Sequence, residues 1–263
     1  MSKTLVSYVH YCPPLNAVNE NNFAAENLKF FLKFGMIDSK DVHYNFIINS
    51  RGIAHKIKRT HNVNIIWGHN EGYDYGGYKQ SLDSVDINNF QNFIFVNDTC
   101  RGPFLPKYMP KTARWTDCLS SHLSNKVKMV GPTILSADYV EWLQDFLKVP
   151  EGKNTHIQSY CFALDLEGLN ILLEHGKFDT KDKHKLDIIR DHEIGCSQLL
   201  LNQGFEIKSL QLSEYSGEKN PDINYEGQYF GTTVNPLEIM FIKTNRINDI
   251  TVKNYTSWLM NSK

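Results

Sequence analysis

Asp98, Glu193 and one glycine-rich loop carry most of the chemistry that this 263-residue sequence could perform. Asp98 stands just beyond the apolar run Phe93-Ile94-Phe95-Val96, at the mouth of what reads as a buried strand. A carboxylate there is costly unless it binds something. One candidate is a hard divalent cation, Mg²⁺ or Mn²⁺, held by one or two carboxylates together with diphosphate oxygens. The other is a turn cap, since Asn97-Asp98-Thr99 is good turn chemistry. The loop Gly72-Tyr73-Asp74-Tyr75-Gly76-Gly77-Tyr78 joins a strand to a helix. Its glycines would let the backbone approach a phosphate at a helix N-terminus, or would simply make a surface turn. It is neither a G-x-x-x-x-G-K-[ST] loop nor G-x-G-x-x-G.

Glu193 lies in Arg190-Asp191-His192-Glu193-Ile194-Gly195-Cys196-Ser197, at the beginning of a helix. A glutamate there complements the helix dipole, or it takes a proton from an attacking hydroxyl. His192 beside it is a competing base whose intrinsic pKa suits neutral pH better. His156 and Gln158 flank a strand start, where they either contact an acceptor or satisfy the edge of a sheet. The ten histidines include no H-E-x-x-H set, and no G-x-S-x-G elbow is present.

The elements that must position these residues alternate between strand-like and helix-like stretches. Thr4–Val9 reads as a strand that stops at Cys12-Pro13-Pro14, and Asn22–Phe34 as a helix closed by Gly35. Tyr44–Ile48, Asn64–Trp67 and Phe93–Val96 read as further strands, with a helix opening at Tyr78. Lys126–Val130, His156–Leu164 and Glu206–Leu210 are strand candidates; Leu169–Leu173 and Arg190–Asn202 are helical. This alternation predicts an α/β fold with a mostly parallel central sheet and helices on both faces. Ligands of such sheets bind beyond the carboxyl ends of the strands. Those ends carry His10-Tyr11, Asn49-Ser50-Arg51, Gly68-His69-Asn70 and Asn97-Asp98-Thr99, so four polar clusters are expected to converge on one edge.

With 28 Lys plus Arg against 29 Asp plus Glu, the chain lacks the basic excess of a nucleic-acid or membrane-surface binder. No linker or repeat divides it, and a single domain over 1–263 is expected, with a nucleotide-binding half (1–105) and an acceptor-binding half (106–263). Five scattered cysteines without a C-x-x-C pair predict reduced thiols and a cytoplasmic setting. Neither a signal peptide nor a membrane-spanning apolar run is evident.

Taken in order, Gly72–Lys79, Phe95–Phe104, His156–Tyr160, His192–Ser197 and Asn235–Arg246 resemble the conserved blocks of rhamnan-synthesis protein F-like glycosyltransferases, including relatives from large algal viruses and bacteria. The resemblance covers roughly residues 4 to 246. It implies a GT-A type, Rossmann-like domain that takes a nucleotide-diphosphate sugar donor and a glycan or oligosaccharide acceptor. Asp98, preceded by Asn97, matches the acidic metal motif, although Asn-Asp-Thr stands where Asp-x-Asp is usual. Glu193 matches the general base, with Glu after His where Asp after Glu is usual. His10, Tyr11, Asn49, Arg51, Asp74, Gly76, Gly77, Lys79, Asn97 and Arg101 would then hold the donor, Arg101 or Lys79 helping to neutralise the diphosphate. His156 and Gln158 would meet the acceptor. A non-catalytic sugar-nucleotide or glycan binder and a retaining transferase are the alternatives.

Overall fold

The computed structural model describes residues 2–11, 23–49, 51–110, 112–136, 154–212 and 222–262. The expected stop at Cys12-Pro13-Pro14, the helix start at Asn22 and Ser50 lie outside these residues. Four strands, β1 (Thr4–His10), β2 (Val42–Ile48), β3 (Val63–Trp67) and β4 (Asn92–Asn97), come from the first hundred residues. They belong to a seven-stranded sheet of order β3-β2-β1-β4-β8-β5-β9, completed by β5 (Val127–Gly131), β8 (Cys161–Asp165) and β9 (Glu206–Ser209). The sheet therefore draws strands from both expected halves. All neighbours are parallel except those of β8, which runs against β4 and β5. A separate antiparallel pair joins β6 (Ile134–Leu135) to β7 (His156–Ile157). The expected strand over 156–164 is thus two strands, interrupted by residues 158–160.

Period-two alternation builds a core on each face of the sheet. Val6, Tyr8, Phe46 and Val96 point to one side and pack with α1 (Phe23–Phe34) and α4 (Trp115–Ser120) through Phe31, Trp115 and Leu119. Leu5, Val9, Ile47 and Phe95 point to the other. There they meet α3 (Tyr73–Asp83), α5 (Leu166–Glu174) and α6 (Gly195–Asn202) through Tyr78, Leu169 and Leu200. Helices thus cover both faces, as the unbroken apolar strands require. A third cluster packs the C-terminal segment, including α8 (Ile250–Asn261), against Phe30 of α1. The short helices include α2 (Arg51–Ala54) and α7 (Pro236–Ile239). Among the described residues no helix is long and apolar enough to cross a membrane.

Strand order reverses between β1 and β4: the chain runs outward from β1 to β2 and β3, then returns to the far side of β1. In open α/β sheets, a crevice forms at such a switch point, outside the carboxyl ends of the strands. His10 and Tyr11 end one of these two strands, and Asn97 and Asp98 end the other.

Candidate functional site

Three carboxylates lie within electrostatic reach at this edge, each set by a different element. Asp98 leaves β4, and its Oδ2 accepts the Tyr11 N–H at 2.9 Å. His10 Nδ1 lies 2.9 Å from the same oxygen without hydrogen-bond alignment. The turn after β4 is capped by Asn97, whose Oδ1 accepts both the N–H and hydroxyl of Thr99. The capping role considered for Asp98 therefore belongs to its neighbour. Asp74 is the second residue of α3, and its Oδ2 accepts from Asn97 Nδ2 at 2.6 Å and Ser159 Oγ at 3.4 Å. Glu193 lies in a π-helical turn, Ile188–Ile194, that leads into α6. Such turns are rare and frequent at functional sites. Ser159 links the last two acids, since its N–H donates to Glu193 Oε2 at 3.2 Å.

The environments of Asp74 and Glu193 are opposed. Burial, reinforced by the charges of Asp98 and Glu193, pushes Asp74 up to about 7, against the pull of Lys243 and Asn97. Burial also penalises the Glu193 carboxylate, but His156, Lys243 and Ser159 outweigh it and hold the group at about 2. A base works best when its pKa lies near the working pH. Asp74 meets that condition and Glu193 does not. Glu193, the residue expected as the base, accepts the Ser159 N–H and faces His156 Nε2 at 3.6 Å. His192, the competing base, is placed beside Lys177 and Tyr75. It is buried, its Nδ1 donates to Lys177 O, and its ring packs on buried Tyr75.

Lys243 completes the cluster. The segment after β4 pairs with the C-terminal chain through the Arg101–Ile242 bridge, bonded in both directions at 2.8 and 2.9 Å. Asn27 of α1 donates to both Asp98 O and Thr244 Oγ1. Lys243, which lies between these ties and is only 8 % exposed, is brought within electrostatic reach of Glu193, Asp222 and Asp74, with its Nζ 5.4 Å from the Tyr160 ring centre. Asp222 and Arg246 stand beside it as a 2.6 Å ion pair. None of these three was singled out from the sequence, yet one available signal marks Lys243: a charge directly after the apolar run Ile239-Met240-Phe241-Ile242, the pattern that marks Asp98.

Other expected contacts are placed differently. Gly76 and Gly77 are inside α3, not in a loop before it. A Cβ on Gly76 would lie 1.7 Å from Glu71 O, and one on Gly77 2.7 Å from a Val9 methyl, so both glycines serve helix packing. Lys79 pairs with Asp83 at 2.6 Å, toward the helix end remote from Asp74. Arg101 is buried and bonds Asn27, Thr256 and Glu26, tying α1 to α8. Neither cation faces the crevice as a free neutralising group. Asn97 orients Asp74 through one N–H of its Nδ2 and caps its turn through Oδ1. His156 and Gln158 are buried; the former donates to Asn154 O, the latter bonds Asp222 and Asn224. They support the acidic cluster from behind. Four of the expected donor contacts, His10, Tyr11, Asn49 and Gly77, do line one cleft with Tyr73 and Gln80. Arg51 opens α2, at the carboxyl end of β2.

The remaining donor set decides what cation the edge suits. Asp98 Oδ1 accepts no hydrogen bond among the described residues, whereas Asp74 keeps its proton up to about 7. No three of His, Cys, Asp and Glu converge as a metal-holding group among the described residues. A cation that arrives on a diphosphate, bringing phosphate and water oxygens, fits a single carboxylate of this kind. Comparison with protein-family models and with curated proteins finds no match to this chain.

Proposed function

We propose that this chain is a glycosyltransferase of the GT-A type, moving a sugar from a nucleotide-diphosphate sugar to a glycan hydroxyl by single displacement with inversion. The observation that carries the reading is Asp98 at the β1–β4 switch point, with Asp74 joined to the same strand end through Asn97 and to Glu193 through Ser159. The resemblance of the five sequence blocks supports the same reaction class.

In this reading the Asp74 carboxylate takes the proton of the acceptor hydroxyl. The acceptor oxygen bonds to the anomeric carbon from the face opposite the donor phosphate. The bond between that carbon and the phosphate oxygen breaks, its electron pair leaving with the nucleoside diphosphate. Asn97 and Ser159 hold Asp74 in place, and Glu193 raises its basicity through its own charge. A divalent cation carried in on the diphosphate would be held by Asp98 and would neutralise the leaving group. One base suffices for such a displacement, whereas hydrolysis of a glycosidic bond uses two carboxylates. The opposed pKa values of Asp74 and Glu193 suit a hydrolytic acid–base pair as well. Transfer is favoured because both oxygens of Glu193 face protein partners, Ser159 and His156.

The test is a panel of nucleotide-diphosphate sugars, with and without Mn²⁺, read by thermal shift and by release of nucleoside diphosphate. At ~100-fold saturation a true donor stabilises the fold by about 2.7 kcal/mol. Release that depends on an added glycan acceptor supports transfer, and acceptor-independent release of free sugar supports hydrolysis. No shift and no release with any donor would remove both readings.

A further inference from the structure

Trp67 ends β3, the edge strand of the sheet, and is 49 % exposed. A single exposed aromatic is ordinary, but this one shares a cavity of about 320 Å³ with Ala54, His55, Ile57 and Arg59. Its walls are fixed from beneath. Ile57 is buried in the core, and the turn after α2 is closed by Lys56 N–H to Ile53 O at 2.9 Å and Ile57 N–H to Ala54 O at 3.2 Å. On the other side, the Gly68 N–H donates to Ile48 O at 2.8 Å, just past Trp67. Charge around the cavity has one sign: residues 42–70 include four Lys plus Arg and no Asp or Glu, in a chain of net charge −1. Lys56, Lys58 and Arg59 are exposed and pair with no acid among the described residues. Other exposed rings are covered by a cation, Trp258 by Lys107 at 4.1 Å and Tyr225 by Arg246 at 5.0 Å. Trp67 has no such cover among the described residues, although Arg59 lines the same cavity.

We propose that this cavity binds a sugar ring that carries a carboxylate, as one unit of an acidic polysaccharide. The apolar CH face of a sugar packs on an indole, and a guanidinium takes a carboxylate through two parallel hydrogen bonds. Both contacts form within one small cavity when the anion sits on the stacked ring itself, as it does in a uronic acid. A nucleotide stacks its base but carries its phosphate beyond the ribose, several bonds away. A lipid bilayer presents a plane, not a ring that enters a cavity. Lys56 and Lys58, outside the cavity, extend the positive surface toward neighbouring units of a charged chain. β2 separates β3 from β1, so at ~4.8 Å per strand β3 runs about 10 Å from β1 and from the crevice between β1 and β4. The inference goes beyond the sugar-transfer reading and does not rest on it, because a glycan held here is bound and not changed.

The experiment titrates the full chain with a short oligogalacturonate, read by calorimetry and by tryptophan fluorescence. Its methyl ester, which has the same rings without the charge, and a single-stranded oligonucleotide of equal charge are the controls. The oligogalacturonate is expected to bind about tenfold more tightly than either control, with an affinity that falls as salt rises. Trp67→Ala should weaken binding about tenfold, and Trp67→Phe, which keeps a flat face, should retain it within a few fold. Arg59→Gln should weaken it about tenfold and abolish the preference over the methyl ester. Where Trp67→Ala fails to fold, Arg59→Gln, a change at an exposed side chain, reads the same point. Absence of binding, equal binding of the methyl ester or of the oligonucleotide, or unaltered binding by folded Trp67→Ala or Arg59→Gln would each overturn the proposal. Failure of the transfer assay with intact oligogalacturonate binding would instead overturn the sugar-transfer reading alone.

Discussion

Asp74→Asn is expected to make the protein more stable at pH 8 while removing its activity. The carboxyl rises from 3.8 to about 7 on folding, because it is buried beside two other acids. A folded-state pKa above the unfolded one means that the native protein holds this proton more tightly. The associated stability is therefore complete below about pH 4 and is lost as pH rises through 7. Roughly 3 pH units at about 1.4 kcal/mol each give ~4 kcal/mol as an upper bound, since water screens part of the effect at a partly exposed group. Asparagine keeps an acceptor for Asn97 Nδ2 and carries no charge. At about 2 °C per kcal/mol for a domain of this size, the variant should melt up to ~8 °C higher at pH 8 and within ~1 °C of the parent at pH 4. Under the proposed reaction its kcat should fall about 10²–10⁴-fold. Melts recorded from pH 4 to 8 test the first half and donor turnover the second. Parallel melting curves for the two proteins across this range would refute the claim that this carboxylate is held against its preference.

Glu193→Gln should act in the opposite sense. With its carboxyl brought from 4.5 to about 2, the ionised group contributes about 3 kcal/mol that is present above pH 4.5 and lost as pH falls through 2. The variant should thus melt lower than the parent at pH 7, with the gap closing toward pH 2, and its turnover per folded molecule should fall less than that of Asp74→Asn. Asp98→Ala should leave the fold intact and severely reduce turnover; indifference of turnover to both this change and a chelator would remove the cation from the reaction. Gly76→Ala should lower the denaturant midpoint by about 1–3 kcal/mol worth of stability, because its Cβ would meet backbone at Glu71 O, which cannot give way.

β4 was readable because burial on both faces leaves a continuous apolar run, Phe93–Val96, while β1, β2 and the edge strand β3 were marked by short runs rich in β-branched and aromatic residues. Their polar ends followed directly, and with them His10 and Asp98. The start of α3 was not readable. Residues 72–77 include three glycines, poor helix formers, and the gain that overrides this preference is tertiary: Tyr75 and Tyr78 bury against Phe162, and the two internal glycines let the helix close on Val9 and Glu71. Moving the helix start from Tyr78 to Tyr73 turns Asp74 from a loop residue into a first-turn acid held by Asn97. The π-helical turn under Glu193 has no sequence signature of comparable strength. The split of 156–164 into β7 and β8 was hidden for another reason. Residues on both sides of the break are buried, so hydrophobicity does not mark it, yet the break is what presents Ser159 to Asp74 and Glu193 together.

Lys243 shows where local reading stops. A charge placed immediately after four buried apolar residues carries the same physical warning as Asp98 after its strand: such a charge is unfavourable unless something compensates it. For Asp98 the compensation is partly local, since Tyr11 and His10 end the adjacent strand. For Lys243 it depends on a return of the chain across about 140 residues, fixed by the Arg101–Ile242 bridge and by Asn27 holding both Asp98 O and Thr244. Neither tie is encoded near Lys243. The same tie fixes Arg101: its backbone brings the lysine in, and its guanidinium locks that arrangement to α1 and α8. A positive charge near the β4 end is thus carried by Lys243, next to the strand's bridging partner Ile242.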